Sequence, residues 1–205
     1  MNIIQTDREQ LLLKAAEEEF LEKGFGKART TEIAKRAGVT HAMLHYYFKT
    51  KENLFKMVFA RSAEIMANIM LFALQRDLPF LDRVRRGVEQ HFDFIAANPH
   101  LTNFIFSEIR SDDRLLAIVT DMMKVKTIPF LIQLDIDIRE EVAKGNIKFV
   151  ESYDILLNVM SLNTTIFSGL PIFSVVVNFG ERDLLEILAE RKEKNVDMIL
   201  SMFKL

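Results

Sequence analysis

Apolar residues recur along this chain at intervals of three and four, and the runs are separated by glycines, prolines and capping residues. This is the pattern of consecutive amphipathic helices. Leu12, Leu13, Ala16, Phe20 and Leu21 line one face of a first helix, and Glu17, Glu18, Glu19 and Glu22 line the other. A capping box at Thr6 and Glu9 predicts its start, and Lys23 followed by Gly24 predicts its stop. A short helix follows from Thr30, its expected N-cap, to Gly38, burying Ile33, Ala34 and Ala37. Val39 fills the turn, and Thr40 caps a third helix, His41 to Phe48, anchored through Leu44 and either Tyr47 or Phe48. A helix, a glycine turn and a capped second helix form the helix-turn-helix pattern, in which the second helix enters the major groove of DNA.

Beyond it, Thr50 opens a long fourth helix through Leu54, Phe55, Val58, Phe59 and Ile65, ended by Asp77 and Pro79. A fifth runs from Pro79 to about Ala97, carrying Val84, Val88, Phe92 and Ile95, and Pro99 starts the next. Asp112 and Asp113 open a helix that Pro129 is expected to kink or end, and a further amphipathic run reaches Gly145. Ser152 caps a helix expected to end at Gly169, and the last helix is expected from Glu181 to about Phe203. No run shows sustained strand alternation, so the fold class is all-α: an amino-terminal three-helix DNA-binding domain over residues 1–50, joined to a larger helical domain over 51–205.

Charge sharpens this picture. The net charge is only −2, yet from Gly26 to Lys56 seven cations face two carboxylates, a local +5 that leaves −7 for the rest. A basic head on an acidic body suits phosphate neutralisation without indiscriminate adhesion. The chain has no cysteine, which excludes disulfides and thiolate zinc sites, and its amino terminus has no secretory pattern, so a cytoplasmic protein is expected. Residues 155–180 carry no charge, but Asn158, Ser161, Asn163, Thr164 and Thr165 interrupt them, which favours a buried helix over a membrane span.

The stretch TTEIAKRAGVTHAMLHYYFKTKENL, Thr30 to Leu54, closely resembles the amino-terminal module of the TetR family of bacterial transcriptional regulators. Ala42 stands where the family often has glycine, and His45 where it often has tyrosine. The resemblance implies phosphate contacts from Thr30, Thr31, Thr40, Tyr46, Tyr47 and Lys51. Their positions near the start of the groove-lying helix make His41 and Met43 the base readers, with Ala42 or Met43 against a thymine methyl, and His45 completes the exposed surface. The resemblance further implies a homodimer joined through the last two long helices, which places Ile155, Val159, Leu162, Ile166, Leu184, Leu188, Val196, Ile199 and Phe203 at the contact. It also implies a small apolar or amphipathic effector in the body, with His91, Phe92, Ile95, Phe104, Phe106, Met122, Met123, Phe130 and Asn163 as candidate lining residues.

The expected function is therefore a ligand-responsive repressor acting as a homodimer on a pseudo-palindromic operator. A helical module that binds proteins or lipids without reading DNA is the alternative. His41 and His45 lie four apart on one helical face but lack the glutamate of a zinc-protease motif, so no metal is assigned. No phosphate-binding loop, dinucleotide fingerprint or nucleophile elbow is present, and neither catalysis nor a cofactor is expected.

Overall fold

The computed structural model describes residues 3–176 and 182–205, with the side chains of residues 3–6, 61, 72, 102 and 171 outside the description. The side chain of Thr6 and all of Glu181, both expected at helix starts, therefore lie outside the described residues. Nine helices are described: α1 (Ile3–Lys27), α2 (Thr30–Arg36), α3 (His41–Phe48), α4 (Lys51–Ala73), α5 (Phe80–Ala97), α6 (Pro99–Ser111), α7 (Asp113–Ala143), α8 (Ser152–Val176) and α9 (Leu184–Ser201). No strand occurs among the described residues.

The helices form two compact units. The first comprises residues 1–65 and 103–124, and the second 66–102 and 125–205. The first is larger than the 1–50 expected from the sequence, because the leading part of α4 and a hairpin of α6 and α7 complete its core. That core joins Leu12, Phe20, Ile33, Leu44, Phe48, Leu54 and Phe55 to Leu115 and Val119. The second unit packs α5 against α8 and α9 around Phe80, Val84, Val88, Leu134, Ile138, Ile155, Val196, Ile199 and Phe203.

Several expected ends shift. Gly24, at φ 74°, breaks α1 as expected, but one further turn follows to Lys27. Pro129 sits inside α7 without ending it. Buried residues anchor α7 well to either side of it, Leu115 and Val119 in the amino-terminal part and Leu134 and Ile138 in the carboxyl-terminal part. Helix α8 runs past Gly169 to Val176, and the ring of Phe173 one turn on occupies the space a Cβ at Gly169 would need. Among the described residues, no helix is long and apolar enough to cross a membrane.

Candidate DNA interface and ligand cavity

The first unit is arranged around the turn between α2 and α3. Gly38 takes φ 68°, a left-handed conformation that glycine adopts without penalty, and the Val39 amide donates to the Ala34 carbonyl at 3.0 Å. Thr40 caps α3 as expected: its hydroxyl accepts from the Met43 amide at 3.3 Å. Arg29, not Thr30, holds the N-cap position of α2, and Thr30 is the first helical residue. Its hydroxyl is thereby free to reach across the turn to His41 Nε2, 2.9 Å away. Leu44 and Phe48 are buried and fix the inner face of α3. Burial disfavours the Glu19 carboxylate, but Lys23 at 2.8 Å and Arg36 at 3.0 Å outweigh it and hold its pKa below the ordinary range. The contact ties α1 to α2.

With α3 fixed from below, His41, Ala42, His45 and Tyr46 project outward, all exposed. The rings of His41 and His45 meet edge to face at 4.5 Å, and His45 Nδ1 lies 3.0 Å from the Lys49 carbonyl oxygen. Lys49 lies over the Tyr46 ring. Thr31 and Thr40 are exposed beside them, while Met43 and Tyr47 are half-buried, Tyr47 against the core of the unit. Among the described residues no three His, Cys, Asp or Glu side chains form a metal cluster.

Lys51 departs from the phosphate role the resemblance implied. Its ammonium donates to the carbonyls of Phe25 at 2.7 Å and Ala28 at 3.2 Å, with that of Gly26 at 3.4 Å, and it lies over the Phe25 ring. It caps the carboxyl end of α1, where a cation complements the helix dipole. Lys51→Ala is therefore expected to lower the thermal stability of the first unit by about 1 kcal/mol while leaving the salt dependence of DNA binding unchanged. Denaturation curves and binding at several salt concentrations check both halves.

The second unit contains a cavity of about 70 Å³ between the later turns of α4, α5, α7 and α8. Its walls are apolar (Met66, Met70, Val84, Val88, Phe130, Leu134 and Val159 among them), and among the described residues His91 is the one titratable residue lining it. Burial pushes the His91 pKa down to about 4, so the imidazole is neutral at pH 7. Asn163 is buried behind it, 3.1 Å from His91 Nδ1.

Of the residues expected in the cavity, His91 and Phe130 line it, and Asn163 stands behind it. The others do not. Phe92 and Ile95 pack with Phe167 in a separate cluster, Phe104, Met122 and Met123 pack against the core of the first unit, and Phe106 is exposed. Regular apolar spacing marks a buried face without naming the neighbour it meets.

The expected dimer residues are corrected likewise. Ile155, Val196, Ile199 and Phe203 are buried inside the second unit, and Val159 and Leu162 pack against them. Ile166 and Leu188 pack against the Phe92 cluster, and of the nine only Leu184 is exposed. The inner rows of α8 and α9 face α5, and different residues face outward: Tyr153, Leu157, Ile172, Leu185 and Met198.

Sequence reasoning missed an ionic centre. Asp137 is buried, and Arg83 and Arg76 each donate to it at 2.7 Å, with Gln133 at 3.0 Å. The available signal was a charged residue inside an apolar row, since Arg83 stands between Phe80 and Val84 on the buried side of α5. Asn195 in α9, one residue before Val196, is an uncharged polar residue in a buried row of the same kind.

A helix-turn-helix held rigidly on one core, with its second helix presented outward, defines a DNA-binding module. Residues 12–58 match the model of the bacterial regulatory proteins of the tetR family. The chain is 34% identical over 100 residues to the HTH-type transcriptional activator FasR of Mycolicibacterium smegmatis, covering 49% of this chain and 46% of that one. It is 40% identical over 72 residues to the HTH-type transcriptional repressor BepR of Brucella suis, covering 35% and 34% respectively. It thus spans about half the length, or less, of these curated relatives. Its fold is that of the transcriptional regulator FadR from Bacillus subtilis, solved in complex with stearoyl-CoA, with a TM-score of 0.67, 20% identity and coverage of 94% of this chain and 98% of that one.

Proposed function

We propose that this protein is a ligand-responsive transcriptional repressor that acts in the cytoplasm as a homodimer on a pseudo-palindromic operator. The observation that carries the reading is the outward face of α3, where His41, Ala42, His45 and Tyr46 stand exposed above the buried anchors Leu44 and Phe48. An exposed imidazole near the amino end of such a helix is placed to hydrogen-bond guanine N7 or O6, and Ala42 to pack on a thymine methyl. His41→Ala is expected to change the preferred base at one position of each half-site, at a cost of about 1–3 kcal/mol against the wild-type operator. Binding to a panel of single-base operator variants checks this, and an unchanged preference order refutes it.

Apolar side chains exposed on α8 and α9 support the dimer, since Leu157 is 58% exposed, Ile172 65% and Leu185 73%. Sedimentation at micromolar concentration is expected to give twice the chain mass of 23.8 kDa; a monomer mass would refute the dimer. The cavity of the second unit is the effector site in this reading. Its apolar walls, and the acyl thioester held by the B. subtilis FadR, support an apolar or amphipathic effector. An effector bound there favours a dimer whose reading helices no longer match successive major grooves.

A further inference from the structure

The hydrogen bonds behind the cavity fix which proton His91 carries. Asn195 Nδ2 donates to the Leu162 carbonyl at 3.1 Å and to Asn163 Oδ1 at 2.8 Å. The carbonyl is an acceptor only, so the orientation of the Asn195 amide is set. Asn163 Nδ2 in turn donates to the Val88 carbonyl at 2.9 Å, which sets the second amide, and its other proton points to His91 Nδ1 at 3.1 Å. His91 Nδ1 is therefore an acceptor, and in the neutral ring the proton must sit on Nε2. That atom has no hydrogen-bond partner among the described residues. His91 itself forms part of the cavity wall.

We infer that the cavity selects an uncharged apolar molecule bearing one hydrogen-bond acceptor, such as a ketone, ester or thioester carbonyl, which His91 Nε2–H engages. This rests on the reading of the cavity as the effector site and specifies the chemistry of its occupant. A carboxylate would be desolvated with a single neutral donor to stabilise it, and an ammonium would meet an N–H where it needs an acceptor. An occupant without an acceptor leaves the Nε2 proton unpaired in an apolar chamber. The chamber is small as it stands, and the methionines Met66 and Met70 are its most adaptable wall, so longer chains enter by displacing them.

The test uses the full chain labelled with ¹⁵N and three six-carbon probes, 2-hexanone, hexanoate and hexylamine, titrated at pH 7 by NMR. The expected result is an Nε2–H tautomer for His91 in the free protein, and 2-hexanone binding at least tenfold more tightly than either charged probe. His91→Leu is expected to weaken 2-hexanone about tenfold, and His91→Gln, which retains an N–H donor, to recover most of that loss. An Nδ1–H tautomer, or hexanoate or hexylamine binding as tightly as the ketone, overturns the proposal while leaving an effector site in place. If none of the three binds, the effector-site reading falls with it, and DNA binding by α3 stands apart from both. The tautomer is read on the wild-type protein and decides the matter even if His91→Leu fails to fold.

Discussion

Arg83→Met is expected to destabilise the second unit by about 3 kcal/mol at pH 7, read as a lower urea midpoint in far-UV circular dichroism. The carboxylate of Asp137 is 2% exposed, and the change strips it of its one buried cationic partner, leaving only Arg76 and Gln133. Removing one member of a buried pair costs more than the pair itself contributes, because the remaining charge stays desolvated. Burial works against ionisation of Asp137, but its hydrogen bonds from Arg83, Arg76 and Gln133 more than offset this and hold its pKa below the ordinary 3.8. A carboxyl with a lowered folded pKa contributes stability above its unfolded value and loses it as pH falls through the folded one. The gap between wild type and Arg83→Met is therefore widest at neutral pH and narrows below pH 3.8. Adding Asp137→Leu to Arg83→Met is expected to recover much of the loss, since the unpaired charge is then gone. An equal gap at pH 7 and in acid would show that lost packing, not the ion pair, is responsible.

Leu44→Ala is expected to cost the first unit about 3 kcal/mol, within the range found when a fully buried leucine is truncated. The functional loss should exceed the structural one. Leu44 fixes the inner face of α3, so a head that stays folded would still present His41 and Tyr46 on a loosened helix. DNA affinity should fall at temperatures where total helicity is unchanged. Tyr46→Ala is the contrasting change, because Tyr46 is 65% exposed and its removal leaves the core intact. It should weaken DNA binding without moving the melting curve.

The head was legible in the sequence because its determinants are local. Thr40 caps α3 from three residues away, Gly38 supplies the left-handed turn, and Leu44 sits where the helical period puts it. The contacts of Lys51 were hidden for the opposite reason: its partners, Phe25 and Ala28, are more than twenty residues distant, and the phosphate role came from the resemblance and not from its neighbours in sequence. In the body, Val196, Ile199 and Phe203 form a regular apolar row that was expected at the dimer contact, because periodicity alone does not separate α5 of the same chain from a second subunit. The cavity residues divided similarly. Phe104 and Met122 have the spacing of lining residues and belong to another core, whereas His91 and Asn163 were traceable as polar side chains on otherwise apolar faces.

Selection of DNA from a random duplex pool by the full chain tests the central claim most directly. The account predicts enrichment of one sequence with two inverted half-sites whose centres lie about 34–36 Å apart or a multiple of that, and loss of the enriched base identity at one position per half-site in His41→Ala. Retention of scrambled duplexes as strongly as any selected one would contradict it.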